Sequence, residues 1–171
     1  MKNFAFCALL FLSFGSVTLA GATEPLKAKP LPTLDIAQTV VKMPLAKGIS
    51  LNDAVEAMKI RANTLNIKLV AEMPLSKQIE AMGEKSRRID IYQFCDPLTA
   101  KKMVEYDIHF AAYLPCRIAL VEDAKGQGWL VMMNLDMFIQ DPKLDASLKA
   151  DAIKVRNTLN EIMQAGSQGA W

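Results

Sequence analysis

The stretch Ile89-Asp90-Ile91-Tyr92-Gln93-Phe94-Cys95-Asp96-Pro97 decides the architecture. Ile89, Ile91, Gln93 and Cys95 fall on one face and Asp90, Tyr92 and Phe94 on the other, which is the two-residue period of a strand. Asp96 then offers a carboxylate to free backbone amides, and Pro97 lacks the N–H that a first helical residue leaves unbonded anyway. A strand therefore ends at Cys95 and a helix starts at once, running to about Tyr106.

Downstream, His109 to Glu122 reads as extended, with Phe110, Ala112, Leu114, Cys116, Ile118 and Leu120 on one face and His109, Tyr113 and Arg117 on the other. Lys125-Gly126-Gln127-Gly128 predicts a hairpin turn and Trp129 to Phe138 its return strand. Asp141-Pro142 repeats the cap-and-proline signal. The helix after it carries Leu144, Leu148, Ala152, Val155, Leu159 and Ile162 on one stripe.

Upstream, residues 75–83 predict a short helix ending at Gly83, and residues 67–73 a strand stopped by Pro74. Ser50 caps a helix whose buried face holds Leu51, Ala54, Val55, Met58, Ala62 and Leu65, and residues 36–43 predict a first strand. The order β-α-β-α-β-α-β-β-α gives an α+β fold, with a mixed sheet of about five strands and helices packed mainly on one face.

The start of the chain has a different grammar. Lys2 precedes an apolar run from Phe4 to Val17, and small residues follow in Thr18-Leu19-Ala20 and Ala20-Gly21-Ala22. That pattern predicts a cleavable secretory signal peptide over residues 1–22, since the run is shorter than the roughly 20 apolar residues of a membrane span. A Pro-rich linker over 23–33 leads to a single α+β domain over 34–165 and a flexible tail over 166–171. The expected location is periplasmic or secreted, with no stable membrane span after cleavage. Loss of Lys2 lowers the formal charge from +2 to +1. Balanced charge excludes the concentrated basic surface that nucleic-acid binding requires. Lys85, Arg87 and Arg88 read as a solvated turn.

Several segments resemble the family catalogued as domain of unknown function 302. They are Gly48-Ile49-Ser50-Leu51-Asn52-Asp53-Ala54-Val55, Phe94-Cys95-Asp96-Pro97 and Tyr113-Leu114-Pro115-Cys116-Arg117-Ile118, within a similarity spanning about residues 36–163. The resemblance implies an α+β fold, often dimeric, and a frequent place in the bacterial envelope or in sulfur- and metal-related settings. It implies no established activity. Asp96 replaces the usual Asn, and Asp107-Ile108-His109-Phe110 stands where a turn with Asp-Pro and Gly is common.

Chemistry rests on Cys95 and Cys116. Twenty residues lie between them. As a disulfide they would constrain the unfolded chain by about 3 kcal/mol, provided their Cα atoms approach within about 7 Å. As a redox pair, Cys95 gains from the helix start, but Asp96 opposes its ionisation and no Cys-X-X-Cys is present. As ligands for a soft metal, copper or zinc, the thiols would need help from His109, Met132, Met133 or Met137. Met133 and Met137 also read as core filler with Val131 and Leu135. No phosphate loop, dinucleotide fingerprint, His-Glu-X-X-His or nucleophile elbow occurs. The expectation is an exported binding or accessory module rather than an enzyme, taking a metal or small ligand near Cys95, Asp96, Cys116 and Arg117. The alternatives are a periplasmic thiol-redox protein using the same pair and a structural homodimer with no ligand.

Overall fold

The computed structural model describes residues 33–141 and 143–170. The expected leader and nearly all of the expected linker lie outside the described residues.

Five strands form one sheet: β1 (Val40–Pro44), β2 (Lys68–Pro74), β3 (Ile89–Cys95), β4 (Cys116–Glu122) and β5 (Gly128–Met133). Their order is β1-β5-β4-β3-β2. The α+β class, the strand number and the helices on one face agree with the sequence. The mixed sheet does not, because every neighbouring pair is antiparallel. Connection length explains the difference. The seven residues of α2 (Leu75–Ala81) rise only about 10 Å, whereas the seven of β3 extend about 23 Å. So short a helix cannot return the chain to the start of a parallel neighbour.

The link from β3 to β4 closes on itself in the same way. Phe94 pairs with Cys116, so residues 96–115 leave and re-enter the sheet at one end. They hold α3 (Pro97–Tyr106) and a 3₁₀ helix, Ile108–Tyr113.

Two longer helices cover one face of the sheet. In α1 (Leu51–Thr64), the Ser50 hydroxyl accepts from the Asp53 amide at 3.1 Å and caps the first turn. Ala54, Val55, Met58 and Ala62 of α1 meet Leu159, Ile162 and Met163 of α5 (Ala146–Gln168). Both sets pack on Tyr92, Phe94, Ile118, Leu120, Leu130 and Met132 from the sheet. Asp90 shares that covered face and is 3% exposed. It pairs with Arg88 and accepts from Ser76 Oγ at 3.1 Å and from the Tyr92 hydroxyl at 3.3 Å. Arg88 is thus half-buried and paired, not part of a solvated turn.

Four further segments depart from the sequence reading; one is the start of α5, capped by Asp145 rather than by Asp141, so that Leu144 lies just before the helix. Residues 36–39 form a 3₁₀ turn capped by Asp35, so β1 starts only at Val40. Ile108–Tyr113 is helical rather than extended because the Asp107 carboxylate accepts from the His109 amide at 2.9 Å. The strand after the hairpin stops at Met133, where Asn134 Oδ1 accepts from the Asp136 amide at 3.1 Å and opens a short helix, α4 (Asp136–Ile139).

The chain's end is also ordered further than expected. Instead of loosening at residue 166, α5 continues to Gln168. Gly166 permits this, since a Cβ there would stand 2.6 Å from Met58 Cγ and 2.9 Å from a Leu130 methyl. Ser167 Oγ donates to the Pro44 carbonyl at 2.6 Å and ties the helix end to β1.

Candidate functional site

The sheet end where β3 stops and β4 begins is roofed by residues 96–115 and flanked by α4 and α5. Beneath this roof lies an inner cavity of about 90 Å³. Its walls come from every surrounding element: Phe94 and Cys95 of β3, Cys116 of β4, Thr99 and Met103 of α3, Phe110 and Tyr113 of the 3₁₀ helix, Phe138 of α4, and Val155 and Leu159 of α5. Apart from the thiols, the wall's polar side chains are Asp96, Thr99 and Tyr113.

An outer groove of about 510 Å³ wraps from this end onto the sheet face that no described helix covers. Ile91, Ala119, Val131 and Met133 form its floor, and Pro115 and Arg117 part of its rim. Tyr113, Cys116, Leu135, Phe138 and Leu159 line both spaces and form the partition. Aromatic packing stiffens that partition. The Tyr113 and Phe138 rings lie 4.4 Å apart, and Phe110 meets Phe138 edge-on at 6.4 Å.

Register fixes the thiols. Cys116 stands opposite Phe94 and so shares its covered face. Alternation turns Cys95 the other way, opposite Lys68, yet as the last residue of its strand it still walls the inner cavity. Both cysteines are free thiols. Burial pushes the Cys116 thiol up to about 11, with the neighbouring Cys95 adding to the rise and Arg117 opposing it. Cys95 is also raised, first by burial and then by the Asp96 charge.

The start of α3 does not counter this, because Asp96 occupies it. Its Oδ1 accepts from the Leu98 amide at 3.1 Å and its Oδ2 from Thr99 Oγ1 at 2.8 Å. Burial alone would raise the Asp96 carboxyl. The bonds from Thr99 and Leu98, with the Lys154 charge, outweigh it and hold the group below the ordinary carboxylate range. Two neutral thiols and one ionised cap are therefore the resting state near neutral pH.

The structure thus gathers Cys95, Asp96 and Cys116 on the inner cavity and sets Arg117 on the outer groove. His109 lines neither. Its side chain is 87% exposed, and Nδ1 lies 2.5 Å from Asp107, the cap of its own turn. His109 sits on the exposed side of the 3₁₀ helix, whose Phe110 and Tyr113 turn to the inner cavity instead. Met132, Met133 and Met137 line the groove together with Cys116, apart from His109, but Met132 is packed into the covered core. Among the described residues no three or more His, Cys, Asp or Glu gather as a metal-holding group.

The sequence reading missed Phe110, Tyr113 and Phe138 as walls of one site. All three lie in segments it took as extended. The signals that mark the true turns are Asp107 and Asn134, side-chain acceptors two residues before the amides they cap.

Fold and site together define a class: a small α+β domain whose antiparallel sheet is covered on one face and carries an apolar two-chambered site at one end. Within that class, the chain belongs to the family described as domain of unknown function DUF302, which matches residues 41–166. A crystal structure of an uncharacterized conserved DUF302 protein from Bacillus stearothermophilus superposes with a TM-score of 0.61 at 16% identity, covering 74% of this chain and 97% of that one. At that identity the likeness is one of fold. No curated protein matches the chain. Among the described residues no helix is long and apolar enough to cross a membrane.

Proposed function

We propose that this chain is an exported, non-catalytic binding module that takes a small, largely apolar molecule at the β3–β4 end of its sheet. The supporting observation is the pair of spaces sharing one partition. The outer groove, at about 510 Å³, falls in the range of small-molecule sites, about 300–1,000 Å³, and has their mostly apolar lining with few polar groups. The inner cavity alone resembles a packing defect in size, but it sits directly behind the groove, across the wall formed by Tyr113 and Phe138. Cys95 and Cys116 serve as neutral, polarizable wall rather than as nucleophiles. A thiol-redox role draws little support from this pair, since both thiols are held protonated and the cap of α3 is already filled.

The test uses N-phenyl-1-naphthylamine, an uncharged dye that brightens in apolar surroundings. Titration into the purified chain is expected to saturate at one equivalent. Ala119→Phe fills the groove floor without entering the covered core, and is expected to abolish the signal while leaving the melting temperature within a few degrees. No brightening by the wild-type chain, or undiminished brightening in the variant, would sink the reading.

A further inference from the structure

The groove's charge pattern specifies more than an apolar guest. Among the described residues Arg117 is the only charged side chain that lines it, and its guanidinium has there neither an ion pair nor a hydrogen bond. It is exposed at the start of β4, next to Pro115, while Ile91, Ala119, Val131 and Met133 extend away from it across the sheet. The rest of that face follows the same rule. The strand register puts Lys42 opposite Val131 and Lys68 opposite Cys95, both on the uncovered side. Lys42 lies over the Trp129 ring at 4.1 Å. Every charged side chain that the described strands place on this face is therefore basic; the carboxylate of Asp123, in the hairpin turn, is engaged by the Trp129 indole N–H at 2.9 Å, at the far end of β5 from Arg117.

An apolar floor with a single free guanidinium at one end matches a molecule with an apolar body and an anionic head. We propose that the outer groove binds a single-chain amphiphilic anion, with the carboxylate held by Arg117 and the chain laid over Ile91, Ala119 and Val131. This deepens the binding-module reading and rests on it. A guanidinium presents parallel N–H donors that fit a carboxylate in two bonds. The low-dielectric floor beside it strengthens that attraction relative to open water. A second copy of the chain is the poorer occupant. Two such faces brought together would set Lys42, Lys68 and Arg117 against an equally basic set of strand side chains.

Displacement of N-phenyl-1-naphthylamine at pH 7.5 tests the inference with three ligands of one chain length, decanoate, decanol and decylamine, each below its micelle threshold. Decanoate is expected to displace the dye at about one-tenth the concentration of decanol, a difference of about 1.4 kcal/mol, and decylamine to be the weakest. Acetate, the head without the chain, is expected to displace nothing. Arg117→Gln is expected to bring decanoate to the level of decanol, each read against that variant's own affinity for the dye, and Arg117→Lys to restore part of the preference. Equal potency of decanoate and decanol on the wild-type chain overturns the proposal while leaving the apolar site intact. So does an unchanged preference in Arg117→Gln. Failure of the dye itself to bind overturns the underlying reading instead. A stable dimer that admits dye only on dissociation would assign the face to self-association and likewise overturn the proposal.

Discussion

At the scale of single residues, Cys116 is governed by its surroundings rather than by its intrinsic reactivity. Burial raises its thiol to about 11, above the roughly 8.5 of an exposed cysteine. A folded-state value above the unfolded one contributes stability that is complete below about pH 8.5 and is lost as pH climbs toward 11, on the order of 3–4 kcal/mol in all. At pH 7 only about one molecule in 10⁴ would carry the thiolate. Iodoacetamide followed by mass spectrometry should therefore show Cys116 labelled at least about 100-fold more slowly than cysteine in the unfolded chain. Its rate should grow with each pH unit up to the window in which the fold loosens. Rapid labelling at pH 6 would mean an activated thiol and contradict a neutral wall. The sequence identified both cysteines and already placed Asp96 as the cap beside Cys95, and its carboxylate does take the free amides of Leu98 and Thr99. The gain at the helix start that the redox alternative assigned to the Cys95 thiol is therefore cancelled by its own neighbour.

At the scale of elements, the contact between α1 and α5 depends on the smallness of one position. Gly166 faces Met58 Cγ, a Leu130 methyl and the Ala54 carbonyl oxygen, with a hypothetical Cβ at 2.6, 2.9 and 3.1 Å. Alanine would recover up to about 1 kcal/mol of helix propensity, which masks part of the clash. Valine is the sharper probe. Gly166→Val should destabilise the domain by about 2–3 kcal/mol, seen as a lower urea midpoint with an unchanged slope. A shift under about 0.5 kcal/mol would show that the helices part easily. Periodicity made these helices legible beforehand. The stripe of Leu148, Ala152, Val155, Leu159 and Ile162 is indeed buried or half-buried. The 3₁₀ helix was not legible, because Phe110, Ala112 and Leu114 happen to alternate like a strand. What bends the chain there is one local bond from the His109 amide to Asp107, which hydropathy does not register. Strand direction was hidden for a related reason: it follows from connection length, and α2 is too short for a crossover.

At the scale of the whole molecule, one sheet face is sealed by α1 and α5, while the other is left to apolar and basic side chains. The proposed export rests on the grammar of residues 1–22 alone. Expressed in a bacterial host with this segment intact, the chain should be recovered from the periplasm with Gly21 or Thr23 as its first residue. Recovery in the cytoplasm with Met1 and Lys2 retained would refute export. The pairing of Phe94 with Cys116 has a consequence of its own. Because the twenty residues between Cys95 and Cys116 start and finish at adjoining rungs, they amount to an exchangeable cassette spliced into an otherwise continuous ladder. Such a segment can change in length and composition without disturbing the pairing of β3 with β4.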